Sequence, residues 1–589
     1  MDPMRRELFM KCAGHTLWMA LLLCLSACAT RGDGTRPPAA AQVSGITVRV
    51  QRAAAGSDSW SIAYELPHPM HAVRFTRPGH GYRQSHWRVL EPAGLTIERR
   101  GEEDVLLAPA GSPFRTLRME VRSYADKPEK DYQVFIPYSD GAALLYTGIL
   151  GLASDGAEPP PLHVLLTPRP GERVVVAGQS SEREVRWEGA PEGTYAYFGA
   201  STAVQQGVTA VVDPGMPRHL REHIERLLPR LFAFYTQRTG SPLTFSPALF
   251  ISFSPSSRSP GDINMSGGTL PGLVQLDIRL GSDRLSADDP EVSKLLSELV
   301  AHEAAHLWNS ELAFHEVPGG DWMHEGGAEA FDLHALAELG AVPAEHVRKR
   351  LSDSVSECLF QLEGAPLRES SRPGKYTNYY RCGLLIFAMA EASARQANPQ
   401  ADIFALWGRL LRDVGPRGRY DEARLYAAFA SEGVPPRTLA VIRQLVDGPN
   451  ADAAPRVLEE LRLLGFEPQV RDEEAPEAFR YLVARGAVRA ALRQDCAAEL
   501  SPSVERGAVL ARGGRCQVLG EQPRIARVAG HSLPAEALAA YDTLHARCAE
   551  QGRVAVELSG QGQALQIPCD GHLARRTPYV RVGRVPFLP

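Results

Sequence analysis

Hydrophobic and polar positions change their period several times along the chain, and each change marks an expected unit. A nine-residue apolar run from Leu17 to Leu25 follows Arg5, Arg6 and Lys11. That is the charged and apolar pattern of a secretory signal over residues 1–27, too short to span a bilayer. Residues 28–44 contain Arg-Gly-Asp-Gly-Thr-Arg-Pro-Pro and an alanine run, the composition of a flexible tether. From Ile46 the apolar positions alternate at Ile46, Val48 and Val50, and short segments of the same kind recur at Val105 to Leu107, Tyr132 to Ile136, Val164 to Leu166, Val174 to Val176 and Tyr195 to Phe198. Turn residues punctuate them, which predicts an all-β domain over 45–212. At Pro217 the period becomes helical, with Leu220, Ile224, Leu227, Leu228, Leu231 and Tyr235 on one stripe and Gly240 after its end. Short strands at Ala248 to Phe253 and Leu273 to Ile278 precede helices from Pro290 to about Leu445, predicting an α+β domain over 213–445. The last region, 446–589, has strand patterns at Arg524 to Val528 and Val554 to Leu558 around a helix from Pro534 to Ala549.

Composition narrows the function classes. The chain has 589 residues, 44% hydrophobic and 23% charged, enough for several domains that each bury a core. Its 64 basic residues are spread among 69 acidic ones for a formal charge of -5, so no basic footprint forms and nucleic-acid partners are not expected. Leu25-Ser26-Ala27-Cys28 resembles a bacterial lipobox, in which Cys28 would carry lipid and become the mature N-terminus. Ala29 after it implies, by the same resemblance, an outer-membrane lipoprotein in the cell envelope, facing the periplasm and attached to the membrane through its lipid alone. Of the nine cysteines, Cys12 and Cys24 leave with the signal, and six remain beside Cys28. An even number in an oxidising compartment suits disulfides. Sequence neighbours would pair Cys358 with Cys382, Cys496 with Cys516 and Cys548 with Cys569, one of fifteen connectivities.

Candidate chemistry lies in the segment Glu291 to Ser310, which reads as a helix containing His302-Glu303-Ala304-Ala305-His306, the HExxH pattern of zinc hydrolases. Two histidines one turn apart can reach one cation, and Glu303 between them faces a water at that cation. Leu295 and Leu299 place both histidines on the buried stripe. Eighteen residues separate His306 from Glu325, which lies in Trp322-Met323-His324-Glu325-Gly326-Gly327-Ala328. His302, His306 and Glu325 make a three-ligand set that leaves zinc an open position, as a catalytic rather than a structural site requires. Glu329 and Asp332 lie four and seven residues beyond Glu325, on the same helical face, where either could hold the second ring nitrogen of a ligand histidine. Asp321 is placed as the N-cap of this helix, and His315 and His324 read as solvated residues or as outer partners of the ligands, without a catalytic role.

HExxH followed by a Glu inside W-x-x-E-G-x-A resembles the gluzincin metallopeptidases of the membrane alanyl aminopeptidase type. His306-Leu307-Trp308-Asn309 is similar to the H-x-W-N of bacterial glycyl aminopeptidases, and Tyr379-Tyr380-Arg381-Cys382-Gly383 to their Y-Y-x-K-G, with Cys382 where that motif has Lys. The resemblance covers about 215–450. It implies a thermolysin-like catalytic domain, one zinc per chain, Glu303 as the proton-transferring acid and base, Tyr380 as a hydroxyl donor to the oxyanion, Asp332 as the acid behind a ligand histidine, and a peptide or protein substrate. Those families bind the substrate's free ammonium with a Glu on a glycine-rich strand before HExxH. This chain has Gly267-Gly268-Thr269-Leu270-Pro271-Gly272 there, with Leu270 at the matching position, and Asp277 is the substitute acid to examine. The activity expected is aminopeptidase-like, with an endopeptidase indifferent to the free N-terminus, or a non-catalytic peptide-binding lipoprotein, as alternatives. In glycyl aminopeptidases a PDZ-like module follows the catalytic domain. Ile525-Ala526-Arg527-Val528-Ala529-Gly530 resembles its strand and turn, which makes 446–589 a small α/β PDZ-like domain, and Leu464-Gly465-Phe466 resembles a carboxylate-binding loop.

Overall fold

The computed structural model describes residues 45–589 except 55, 110–111, 125–131, 154–157, 190–191, 203, 206–207, 287–288, 373–374, 497–499, 506, 514 and 588–589. The expected signal, Cys28 and the tether lie outside the described residues. Among the described residues no helix is long and apolar enough to cross a membrane.

The alternating positions of the first domain form three sheets. The largest has six strands in the order 185–189, 162–167, 46–52, 59–70, 114–122, 87–91. Val48, Val50, Ile62, Tyr64, Met119, Val121, Val164 and Leu166 are all buried, as a period of two on a one-sided sheet requires. The segment expected to begin a strand at Tyr132 begins it at Phe135 instead, because Gln133 uses its amide to donate to the Phe135 carbonyl.

The next unit is a five-stranded sheet ordered 204–205, 209–212, 248–255, 273–280, 263–270, in which Ile263–Leu270 is an antiparallel edge strand. One face carries Leu249, Ile251, Leu276 and Ile278 into the helical core, with Leu220, Ile224, Leu227, Leu228, Leu231 and Tyr235 of the helix Arg218–Thr239 packed in it. The other face turns Ala248, Phe250, Leu270 and Leu273 into the core of the β domain. Alternation along these strands therefore joins the two units through a continuous apolar layer. Helices Pro290–His306, Trp322–Glu338, Ala344–Gln361 and Thr377–Ala397 follow and surround the candidate site.

The apolar cores show where the last unit begins. Ala453, Val457, Leu461 and Phe466 belong to the helical core, and so do Val580, Val582 and Phe587 near the end of the chain. A third core gathers Ala475 to Tyr579 around the helices Glu477–Leu492 and Ala537–Gln551 and a sheet ordered 501–505, 508–512, 524–528, 553–558, 564–568. The strand Val580–Val582 returns to pair with Pro468–Val470, and its amides donate to Ser356 and Ser352 hydroxyls at 2.8 and 2.9 Å. Leu464-Gly465-Phe466 lies where the helix Ala453–Leu463 ends. It is a helix stop, with Gly465 at φ 86°, the Phe466 amide donating to the Leu461 carbonyl at 3.0 Å, and the Phe466 ring buried against Phe587.

Cys358 pairs with Cys382, Cys496 with Cys516 and Cys548 with Cys569, the neighbour pairing among the fifteen. The first bridge ties the helix Ala344–Gln361 to the helix Thr377–Ala397 at the position where the resemblance expects Lys.

A candidate metal centre

Asp289 accepts from the Glu291 amide at 3.0 Å and Pro290 takes the first-turn position, so the HExxH helix starts where its polar N-terminal turn meets solvent. It runs to His306 and widens into a π-turn over Leu307–Leu312. That turn brings Asn309 back under His306, where its Oδ1 lies 3.0 Å from His306 Nδ1. The Asn309 amide donates to the His324 carbonyl at 2.7 Å, which orients its oxygen toward the ring, so His306 Nδ1 carries the proton and Nε2 faces the site. A π-turn at a functional site of this kind re-aims a side chain that a regular helix would carry past it.

His302 Nε2 and His306 Nε2 stand 3.3 and 3.4 Å from Glu325 Oε2. The ligand atoms of the three residues all lie within 4.8 Å of one another. Behind His302, its Nδ1 faces Glu329 Oε1 at 3.3 Å and Asp332 Oδ2 at 3.8 Å. Arg350 holds both acids at 2.5 Å, and Arg381 lies 3.8 Å from Glu329 and 2.9 Å from Glu357. Burial alone would raise Glu329, but Arg350 and His302 hold it well below the usual carboxylate range, while burial and the Glu329 charge raise Asp332.

The donor set fits a divalent cation on electrostatic grounds. Burial should strip the proton from His302, yet Glu325, Glu329 and Glu303 hold its pKa well above that of a free imidazole, and His302, His306 and His324 together keep Glu325 far below its usual value against burial. Four buried carboxylates around two histidines stabilise positive charge at this point, and two nitrogens with one oxygen suit zinc.

Glu303 is buried beneath the edge strand. A Cβ at Gly267 would come within 2.7 Å of Glu303 Cγ, so only glycine lets the strand pass this close. Thr269 adds a hydroxyl 3.2 Å from Glu303 Oε2. Tyr380 stacks over His302 with centroids 5.5 Å apart, and burial followed by the Glu325 and Glu303 charges drives its pKa far up, so its hydroxyl keeps the proton.

At the site Tyr376 escaped the sequence reading, while His315 and His324 stand behind Glu325 as outer partners. Tyr376, one turn before Tyr380, donates to Glu325 Oε1 at 3.4 Å; its spacing of four from Tyr380 was the available signal. His324 Nε2 lies 3.5 Å from Glu325 Oε1, and His324 Nδ1 lies 2.7 Å from His315 Nε2. Burial, then the neighbouring His324, pushes His315 down to about 3, so it stays neutral. The simplest proton placement runs one way: His315 Nε2–H donates to His324, and His324 Nε2–H points at the outer oxygen of Glu325. Replacing His324 by Ala is expected to weaken zinc affinity by about ten- to a hundredfold, read by competition with a chelator, because the carboxylate loses an orienting partner. Asp321, expected as a helix N-cap, makes no side-chain capping bond; its backbone is already helical, which turns the carboxylate away from the first-turn amides. Asp277 is committed to Arg279 at 2.8 Å and Ser252 at 3.0 Å, and Leu270 is 3% exposed in the β-domain core, so neither offers an acid to the cleft.

No family model matches the sequence, and no curated protein matches it. Solved structures do. An aminopeptidase N family protein from Idiomarina loihiensis superposes with a TM-score of 0.59 at 13% identity, over 92% of this chain and 99% of that one. The protein therefore has an aminopeptidase N-like fold, and within it His302, His306 and Glu325 bring together three atoms that could hold a metal ion.

Proposed function

We propose that the protein is a zinc-dependent peptidase of aminopeptidase-like type. The observation that carries this reading is the convergence of His302, His306 and Glu325 on one point, with Glu303 held between that point and an edge strand. A zinc ion held there would supply Lewis-acid polarisation of a scissile carbonyl and make water acidic enough to act near neutral pH. Glu303 accepts the proton of the attacking water and passes it to the leaving amine. Tyr380, kept protonated by its anionic neighbours, donates its hydroxyl to the oxygen that gains charge in the tetrahedral intermediate. The backbone of Gly267 and its neighbours holds the substrate by strand pairing.

With Leu270 buried and Asp277 paired to Arg279, no carboxylate is supplied by either position to bind a free ammonium. Electrostatic preference for a free N-terminus is accordingly weak in this reading, which keeps the endopeptidase alternative open to the experiment below. The reading as a whole is tested by metal content and chelation. The mature protein should carry about one zinc per chain, and hydrolysis of a peptide library should disappear on chelation and return with zinc. A protein with intact ligands that takes up no zinc would refute it.

Export and lipidation complete the proposal. Cys28→Ser should release the enzyme from the outer-membrane fraction or leave an uncleaved precursor; a mature N-terminus other than residue 28 would count against it. Three disulfides suit the periplasm. The C-terminal unit is proposed as a PDZ-like module on the strength of its strand Arg524–Val528 and the helix Ala537–Gln551 beside it.

A further inference from the structure

The edge strand that crosses Glu303 is stopped at one end by a residue from another domain. Ile263–Leu270 has Leu273–Leu280 as its one strand partner among the described residues, so its opposite edge faces the cleft. Two residues past Gly267, the Thr269 carbonyl accepts a hydrogen bond from Tyr132 Oη of the β domain at 3.0 Å. Past Leu270 the chain turns at Pro271-Gly272, with Gly272 at φ 71°, and goes back into the sheet. The Tyr132 ring is braced: its centroid lies 4.8 Å from that of Tyr146, whose hydroxyl is itself bonded to the Glu192 carbonyl at 2.5 Å. The Arg77 guanidinium lies over both rings, 5.9 Å from Tyr132 and 5.5 Å from Tyr146.

Resting on the peptidase reading above, we infer that Tyr132 is a specificity-determining residue that closes the substrate edge beyond the scissile bond and limits how many residues may precede it. A peptide on this edge is held by main-chain hydrogen bonds, and the antiparallel pairing, the more stable of the two, directs its N-terminal side toward Thr269. There the carbonyl it would need already accepts from Tyr132 Oη, and the Tyr132 ring lies against Gly268, where a Cβ would come within 3.6 Å of it. The Arg77 guanidinium packs on this wall and the Glu311 carboxylate accepts from the Gly272 amide at the turn, so the selection rests on room and on the Tyr132 hydroxyl already held by the Thr269 carbonyl. Short N-terminal segments are thereby admitted without the carboxylate that Leu270 replaces.

The test uses the zinc-loaded full chain and peptides that share one scissile bond, preceded by one residue, by the desamino form of that residue, or by three residues, with a fourth extended by two residues on the C-terminal side. Wild type should cut the one-residue and desamino forms within about threefold of each other in kcat/KM, and the three-residue form at least about tenfold more slowly. Tyr132→Ala should raise the three-residue to one-residue ratio by about tenfold. Tyr132→Phe, which keeps the ring and frees only the carbonyl, should raise it by less; this milder change also guards against a misfolded alanine variant. The ratio for C-terminal extension should not move. An unchanged N-terminal ratio in both variants, a response confined to the C-terminal extension, or a loss of thirtyfold or more on the desamino form overturns this inference while leaving the peptidase standing. Failure of zinc-loaded wild type to cut any of the peptides or the library overturns the peptidase reading, and this inference with it.

Discussion

Glu303→Gln is expected to lower kcat by about 10³-fold or more while leaving zinc content and the folded state unchanged. The amide is nearly isosteric with the carboxylate and can still meet the Thr269 hydroxyl, but it cannot take a proton from water or return one to the leaving amine. His302, His306 and Glu325 keep their geometry, since Glu303 lies toward the strand and not among the three ligand atoms. Steady-state hydrolysis of the best library peptide, measured beside metal analysis of the same preparation, checks both halves. The outcome also separates an enzyme from a lipoprotein that only holds peptides, because a binder's function would be indifferent to this change. Retained turnover in a zinc-loaded Gln variant would remove Glu303 from the mechanism.

Tyr380→Phe should reduce kcat by about 10²- to 10³-fold with a much smaller change in KM. The hydroxyl is surrounded by carboxylates that hold its proton on, so it enters as a donor whose bond strengthens only when the carbonyl oxygen becomes anionic. The ring itself remains stacked on His302 in the variant, which preserves the packing around the metal ligand. Tyr376, whose hydroxyl donates to Glu325 Oε1 from one turn earlier, is the control residue: if Tyr376→Phe loses as much kcat and Tyr380→Phe little, the two hydroxyls have exchanged roles.

How much of this was legible beforehand depends on whether the information is local. The period-two segments and the helical stripe beginning at Leu220 announced the order of a β domain, an α+β unit and a mixed C-terminal unit, because alternation and the 3.6-residue repeat are imposed by which face of an element is buried. The ligands were legible for the same reason. His302 and His306 are bound by the geometry of one helical turn, and Glu325 sits within a short motif whose spacing is itself the signal. The cysteine pairs were readable only as a preference for sequence neighbours.

Non-local contacts left no such trace. Arg350 is eighteen residues from Asp332 and clamps it only because two helices pack side by side, and nothing in the local pattern around Arg350 distinguishes it from a solvated helix cation. Asp321 and Leu464-Gly465-Phe466 illustrate the reverse: each matched a short pattern, but the helical backbone at Asp321 leaves it without a side-chain capping bond, and Phe466 is packed against Phe587. Tyr132 meets Thr269 across 137 residues and between two domains, a contact that no periodicity encodes. By itself, then, the sequence determined the order of the units and the three-ligand set, from periodicity and from the spacing of two short motifs, while what was expected of Glu303 and Leu270 came with the resemblance those motifs carry. Tertiary structure alone decided what orients those ligands and where the cleft ends, because these depend on which elements are brought face to face by burial of their apolar sides.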